Sequence, residues 1–232
     1  MSNLFAFGCS HTYGYGLPDV VQYMNGKEIY PTKFGKNYNF GSKFAWPQLL
    51  ANKLNLECYN YGCCGANGKE VVWLITQCLQ HNMIFNKDTV AILWPAFSRT
   101  GIFENDPLHI HSDDARITNR IWADKGDKRS KVFYYSYYNE YDFAIQRWQE
   151  IILVDLLCKE RGINCYHSTH NKELTPAEVG LKSITKNMNI DFMQVDTSPF
   201  LVDAAADGMH HGPKSNELIA SKWFNFIKGI NK

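Results

Sequence analysis

Two short polar segments of the sequence carry the residue types of a hydrolytic site. Ser10 follows a short apolar run that ends at Gly8, and Asp207 precedes His210 by three residues near the C-terminus. A serine just past a buried strand projects from a tight turn, which is the position that a nucleophile needs. A carboxylate three residues before a histidine can reach its Nδ1 and leave Nε2 facing outward as a base. These side chains together have the chemistry of acyl transfer.

A third segment, from Asn60 to Gly68, has the sequence Asn-Tyr-Gly-Cys-Cys-Gly-Ala-Asn-Gly. Its glycines let backbone N–H groups approach a ligand closely. Gly65 also lies ahead of a predicted helix N-terminus, where N–H groups favour an anion. An oxyanion hole needs donors of this kind, so this segment is a candidate for one.

Each segment alone has a plainer interpretation. Ser10 could cap a helix, residues 60–68 could form an ordinary glycine-rich turn, and Asp207 could be an N-cap followed by two surface histidines. Their order along the chain favours the chemical interpretation. The nucleophile stands near the start, the glycine turn follows the second strand, and the Asp-x-x-His segment stands just before the last helix.

This order resembles the motif order of the SGNH (GDSL-like) hydrolases. Gly8-Cys9-Ser10 resembles the family's Gly-Asp-Ser segment, Asn60–Gly65 its Asn-x-x-x-x-Gly segment, and Asp207–His210 its Asp-x-x-His-Pro segment. The resemblance implies hydrolysis of esters or thioesters through an acyl-serine intermediate. It also implies an α/β fold: a flavodoxin-like three-layer α/β/α sandwich with a five-stranded parallel sheet.

The resemblance assigns a role to each matching residue. Ser10 would attack the acyl carbonyl, His210 would take its proton, and Asp207 would orient His210. The backbone N–H groups of Ser10 and Gly65 would stabilise the oxyanion. His211 stands where the family has proline, which leaves two histidines as candidates for the base, and the i, i+3 spacing favours His210.

The sequence departs from the family pattern after the third strand. The family has Gly-x-Asn-Asp there, and its Asn donates a hydrogen bond to the oxyanion, whereas this chain has Trp-Pro-Ala-Phe-Ser-Arg at residues 94–99. Ser98 is the candidate replacement donor, and Arg99 is a candidate to bind an anionic group. Asn67, within the third segment, and His11, next to Ser10, complete the candidate substrate-binding residues. Cys9 replaces an Asp that supports the turn outside the triad.

Strands and helices alternate along the chain, which predicts a parallel sheet with helices on both faces. Short apolar runs predict strands, and apolar residues at helical spacing predict helices. The predicted strands are 4–7, 56–61, 89–94, 163–166 and 192–195, and the predicted helices are 44–54, 69–81, 141–161, one starting at Thr175, and 213–227. Residues 14–43 are predicted to form a long loop.

Residues 98–139 interrupt this alternation with no clean period, so we expect a single domain over 1–232 with an irregular insertion or cap there. The insertion holds an aromatic set whose faces suit either carbohydrate rings or plain packing: Trp122, Tyr134, Tyr135, Tyr137 and Tyr138.

The composition excludes several classes of protein. A net charge of +1 gives no general attraction to nucleic acid or anionic membranes. Seven cysteines without regular spacing argue against a disulfide framework, and no Cys-x-x-Cys pair points to zinc. We expect no cofactor, no metal, and no nucleic-acid or membrane partner. The N-terminus lacks the pattern of a secretory signal, so we expect a cytoplasmic protein, or a virion-associated one if the source is viral.

The sequence thus favours a serine esterase acting on a small-molecule or carbohydrate ester, with the carbohydrate O-acetyl group as first choice. The alternative is a catalytically weak or inactive carbohydrate-binding or virion structural protein on the same fold, which the missing Asn favours. A third hypothesis is a flavodoxin-like module that binds a nucleotide or phosphate through residues 60–68. The oligomeric state is left open.

Overall fold

A computed structural model describes residues 2–20, 22–24, 27–29, 41–102, 119–121, 127–169, 188–194 and 202–230. The elements in this part of the chain are β1 (Asn3–Gly8), α1 (Ser10–Tyr13), β2 (Gln22–Met24), β3 (Lys27–Ile29), α2 (Trp46–Leu54), β4 (Glu57–Gly62), α3 (Gly68–Gln80), β5 (Thr89–Trp94), β6 (Thr100–Ile102), β7 (Asn119–Ile121), α4 (Lys128–Ser136), α5 (Glu140–Glu160), β8 (Asn164–Thr169), β9 (Phe192–Gln194) and α6 (Pro213–Ile227).

The predicted five-stranded parallel sheet is confirmed. Its strand order is β4-β1-β5-β8-β9, so the first strand lies between the second and third parallel strands. Gly8 at the end of β1 pairs with Gly62 on one side and Leu93 on the other. The carboxyl ends of β1, β4 and β5 therefore meet at one edge of the sheet, where sites form in open α/β folds.

The central strands are apolar on both faces because both faces are covered by helices. All six residues of β5 are buried, and β1 is buried after its first residue. Phe5 and Phe7 of β1 point into one apolar cluster, and Leu4 and Ala6 point into the other. This alternation follows from the two-residue period of a strand.

The helices form a layer on each face, which confirms the predicted α/β/α sandwich. α3 and α5 pack on the first face through residues that include Val71, Ile75, Ile151 and Val154. α2 and α6 pack on the second face through Trp46, Leu50, Ile219 and Trp223, and the rings of Trp46 and Trp223 stack at 5.2 Å. None of the described helices is long and apolar enough to cross a membrane.

Two segments predicted to be irregular contain regular structure. Residues 14–43 include the antiparallel pair β2–β3, and residues 98–139 include the antiparallel pair β6–β7 and helix α4. Both pairs are only three residues long per strand, too short for a periodic signal.

Helix α2 begins at Trp46 rather than at Phe44, because Pro47 favours the first turn. Trp122 and the predicted helix start at Thr175 lie outside the described residues, as does residue 195 of the last predicted strand.

A polar cluster is buried between β5, β8 and α5. The indole N–H of Trp94 donates to Nδ1 of His167 at 3.1 Å, so the proton of this imidazole is on Nε2, which lies 3.3 Å from Sγ of Cys165. Asp155 lies 3.6 Å from the same ring and forms an ion pair with Lys159 at 2.7 Å. The side chain of His167 is fully buried. Burial lowers its pKa because it disfavours the imidazolium, although Asp155 acts in the opposite direction.

We expect the free energy of unfolding to fall as the pH drops below about 6.5, the ordinary pKa of histidine. The folded protein keeps His167 neutral, whereas the unfolded chain binds a proton there, so stability is full above that pH and is lost in acid. The loss is at most about 1.4 kcal/mol per pH unit for each such histidine. His211, whose pKa is also lowered by burial and by neighbouring His210, adds to the effect.

Urea unfolding at about pH 7.5 and about pH 5.5 measures this effect, because both values lie above the ordinary carboxyl pKa range. His167→Gln keeps an acceptor for the Trp94 indole and should lose part of the pH dependence. His81→Gln, at an exposed position, is the control and should keep all of it. An undiminished pH dependence in His167→Gln would show that this histidine is not responsible.

Candidate active site

Ser10 is the first residue of α1 and directly follows the sharp turn that ends β1. Gly8 has a φ of +158°, and a Cβ atom there would lie 2.6 Å from the backbone oxygen of Leu93 and 2.2 Å from the hydroxyl of Thr12. Only glycine fits between the neighbouring strand and the start of the helix. Gly14 ends α1 in the left-handed conformation after four residues. The turn holds the Ser10 side chain at the carboxyl edge of the sheet with 7% of the residue exposed.

The end of β4 is tied to the same turn. Asn60 Nδ2 donates to the backbone oxygen of Thr12 at 2.8 Å, and its Oδ1 accepts from the N–H of Gly62 at 2.9 Å. The N–H of Cys63 donates to the backbone oxygen of Gly8 at 2.9 Å. These bonds anchor the glycine segment beside α1. Gly65 follows with a φ of +75°, and its N–H has no backbone acceptor in the described part of the chain.

Asp207 organises the turn that carries His210. Its Oδ1 accepts from the N–H groups of Met209 and His210, both at 3.0 Å, and its Oδ2 lies 2.5 Å from Nδ1 of the His210 imidazole. Burial would raise the pKa of this carboxyl group, but the two N–H groups and the imidazole stabilise the carboxylate, and its pKa is lowered overall. Asp207 therefore remains ionised near neutral pH.

The histidine joins this carboxylate to the serine. Nε2 of His210 lies 2.8 Å from Oγ of Ser10, although the two residues are 200 positions apart in the sequence. A carboxylate only accepts hydrogen bonds, so Nδ1 carries the imidazole proton and Nε2 accepts from the Ser10 hydroxyl. The three predicted triad residues are thus connected in one line, Asp207–His210–Ser10, with the geometry of nucleophile, base and orienting group.

His211 occupies a different environment from His210. It is 5% exposed, its backbone forms an isolated bridge with Ala204, and its carbonyl accepts from Asn216 Nδ2 at 2.9 Å. Its ring packs against His11 with centroids 4.8 Å apart. Of the two histidines left open by the sequence, His210 is therefore the one in contact with Ser10.

Three other predicted site residues, Asn67, Ser98 and Arg99, make contacts elsewhere in the described part of the chain. Asn67 is buried and caps α3, where its Oδ1 accepts from the N–H of Glu70 at 3.2 Å. Ser98 and Arg99 lie half-buried in the turn after β5, and the carbonyl of Ser98 accepts from the Tyr134 hydroxyl. Within the described residues, no hydrogen bond joins these three side chains to the triad. Their proposed roles toward substrate stay predictions, as does the role of the Gly65 N–H.

The sequence predicted that His11 binds substrate, but it did not predict the ring contacts that His11 and Tyr15 make with His210. His11 lies 4.7 Å from the His210 ring and Tyr15 lies 5.1 Å from it, measured between ring centroids. Tyr15 follows His11 by four residues, and that spacing beside a nucleophile was a usable signal. Gly16 was missed as well: its carbonyl accepts from the N–H of Ala206 at 3.0 Å, which links the two turns of the site.

All seven cysteines lie in the described residues, and none forms a disulfide. No group of three or more His, Cys, Asp or Glu side chains in the described ranges is arranged to hold a metal ion.

No protein-family model and no curated protein matches the sequence. Solved structures match its fold. An acetyl xylan esterase from Butyrivibrio proteoclasticus has a TM-score of 0.56 at 12% identity, over 98% of this chain and 63% of that chain. A carbohydrate acetylesterase family member from Sinorhizobium meliloti has a TM-score of 0.53 at 10% identity, over 99% of both chains. A member of the lipolytic G-D-S-L family from Veillonella parvula has a TM-score of 0.51 at 12% identity, over 96% of both. The chain therefore has the fold of the SGNH hydrolases, the family that its sequence motifs resemble.

Proposed function

We propose that the protein is a serine hydrolase that cleaves carboxylic esters through an acyl-serine intermediate. The observation that carries the proposal is the line from Asp207 Oδ2 through His210 to Ser10 Oγ, with steps of 2.5 and 2.8 Å. This arrangement activates a serine hydroxyl, which is otherwise a weak nucleophile. The Ser10 turn lies at the carboxyl edge of a parallel sheet, the usual place for a site in this architecture.

In the proposed reaction, Ser10 Oγ attacks the acyl carbonyl while Nε2 of His210 takes the hydroxyl proton. The tetrahedral intermediate carries its negative charge on the former carbonyl oxygen, which the N–H groups of Ser10 and Gly65 stabilise. The alcohol leaves with the proton from His210. Water then attacks the acyl-serine, again with His210 as base, and releases the acid. Asp207 keeps His210 in the required tautomer throughout.

The oxyanion hole lacks the side-chain amide that the family pattern supplies. No Asn occurs between Trp94 and Thr100, and Ser98 is the proposed donor in its place. The loss of one oxyanion donor costs about 100- to 1000-fold in rate. If Ser98 does not compensate, the expected enzyme is slow rather than inactive.

The proposed substrate is a small acyl ester of a carbohydrate, with acetate as the acyl group. Two of the structurally similar proteins are a carbohydrate acetylesterase family member and an acetyl xylan esterase. Exposed aromatic side chains lie at the C-terminal end of α4: Tyr135 is 94% exposed, and Tyr137 is also largely exposed. Exposed aromatic side chains of this kind suit contact with sugar rings.

Release of nitrophenol from p-nitrophenyl acetate and p-nitrophenyl butyrate tests the proposal. We expect the acetate to react faster, and we expect acetate release from acetylated xylo-oligosaccharides. Butyrate turnover equal to or faster than acetate turnover would contradict the acetyl specificity but retain the esterase. No turnover of any ester by folded protein would contradict the proposed function itself.

A second candidate function is carbohydrate binding, or a virion structural role, without efficient catalysis. The specific observation in its favour is the missing oxyanion Asn. This candidate requires that wild type does not react with a fluorophosphonate and that Ser10→Ala still binds the carbohydrate. Labelling of Ser10 would exclude it.

A further inference from the structure

Two side chains from the nucleophile's own turn pack against the ring of His210. His11 is adjacent to Ser10, and its ring lies 4.7 Å from the His210 ring with an angle of 46° between the planes. Tyr15 lies 5.1 Å away with an angle of 53°. The residue that accepts the proton is thus in contact with three side chains of residues 10–15: the Ser10 hydroxyl and these two rings.

The ring of His11 also packs against a second histidine, His211. Its ring lies 4.8 Å from the ring of His211, which is 5% exposed and is fixed at its backbone by Asn216 and by the bridge to Ala204. The His11 ring therefore lies between two other imidazoles in a row, His211–His11–His210. His211 is the fixed end of this row, because it is buried and its backbone is hydrogen-bonded. Burial and the nearby His210 lower the pKa of His211, so the fixed end of the row is neutral near pH 7.

We propose that His11 is a positioning residue for the base: its ring holds the His210 imidazole in the orientation in which Nε2 faces Ser10. This inference rests on the proposed function, because it assigns His210 as the base. It replaces the expectation that His11 binds substrate. The physical reason is that an imidazole hydrogen-bonded only along its edge can still tilt about that line, and rings packed against it restrict this freedom.

The Tyr15 ring has a second effect on the reaction, because its centroid lies 5.1 Å from that of His210. His210 becomes an imidazolium when it takes the proton of Ser10, and a cation within about 6 Å of an aromatic ring centroid is attracted to the ring face. This attraction exists only after proton transfer, so it favours the transition state over the ground state. A side chain with a permanent positive charge in place of His11 has the opposite effect.

Three variants separate this role from substrate binding: His11→Ala removes the ring, His11→Phe keeps an aromatic ring, and His11→Lys replaces the ring with a permanent positive charge. We expect kcat of His11→Ala to fall by about 10- to 100-fold with little change in KM, because a misplacement near 1 Å costs up to about 100-fold. His11→Phe should recover most of the lost rate, and His11→Lys should be the slowest. His81→Ala, an exposed histidine on a helix end, is the matched control.

The same set is measured by the rate of fluorophosphonate labelling, by thermal unfolding, and by the NMR signal of the Nδ1 proton shared between His210 and Asp207. We expect slower labelling and a broadened signal in His11→Ala at an unchanged melting temperature, with both restored in His11→Phe. Labelling and kcat of His11→Ala equal to wild type would overturn the inference. A raised KM without recovery in His11→Phe would also overturn it and return His11 to substrate binding.

Fluorophosphonate labelling of the wild-type protein separates failure of the proposed esterase function from failure of the positioning role of His11. If wild type is labelled and the His11 variants behave like it, the inference fails and the esterase remains. If wild type is not labelled, the proposed function fails. In that case the NMR signal still tests the packing, because an unbroadened Nδ1 signal in His11→Ala would contradict a positioning role.

Discussion

We expect Ser10→Ala and His210→Ala each to reduce kcat/KM for p-nitrophenyl acetate by about 10⁴-fold or more, because removal of any one member of a triad disables the others. Ser10 supplies the only hydroxyl in contact with Nε2 of His210 among the described residues. The double variant should be no slower than either single variant, since both remove the same step. The measurement is steady-state turnover together with fluorophosphonate labelling, which should disappear in Ser10→Ala.

Ser168→Ala is the matched control for the serine. Ser168 is fully buried on β8, and its hydroxyl has no hydrogen-bond partner among the described residues, so its removal should leave folding and turnover unchanged. If Ser10→Ala keeps wild-type turnover while Ser168→Ala does too, Ser10 is not the nucleophile. If the rate loss of the double variant equals the product of the two single losses, Ser10 and His210 act independently. That result would contradict the proposed proton transfer from Ser10 to His210.

We expect Asp207→Asn to reduce kcat by about 10³- to 10⁴-fold, a loss of the size seen when an orienting carboxylate becomes an amide. Asp207 holds His210 with its proton on Nδ1, which leaves Nε2 able to accept from Ser10. An amide in this place donates as well as accepts, so it stabilises the opposite tautomer. The amide oxygen still accepts from Met209 and His210 N–H, so the fold should persist and the loss should lie in kcat.

Asp203→Asn is the control for this carboxylate. Asp203 lies in the same loop and accepts from the N–H groups of Lys214 and Ser215 at the start of α6. Its replacement should reduce stability, because a charged N-terminal acceptor of the helix is lost, while kcat stays near that of wild type. A similar fall in kcat for both variants would show that Asp207 acts through loop structure and not through the tautomer of His210.

Much of the architecture was predictable because it rests on local patterns. β1 and β5 are short apolar runs that must be covered on both faces, and such runs indicate a parallel sheet. Helix α6 has the predicted bounds of 213–227, because Pro213 starts a helix well and an apolar face follows it. The Asp207–His210 contact was predictable for the same reason, since the two residues are three positions apart in one turn, which sets its geometry.

The short hairpins and α4 were not predictable from their own residues. β6 and β7 are three residues long and pair across residues 103–118, so their pairing depends on contacts distant in sequence. Helix α4 has only Ser130 buried, and without a buried stripe its sequence has no apolar period. The packing of the aromatic residues in this region could therefore not be predicted from the sequence.

The sequence by itself determined the order of the elements, the three motifs and the chemistry that their residue types allow. Only the tertiary structure decided which histidine meets the serine, because the burial of His211 depends on its bridge to Ala204 and on Asn216. Tertiary structure also decided that Asn67 caps α3 and that His11 packs between two imidazoles. The physical reason is common to all of these: residue types and local spacing fix which bonds a segment can make, but contacts between segments up to 200 residues apart decide which bonds it does make.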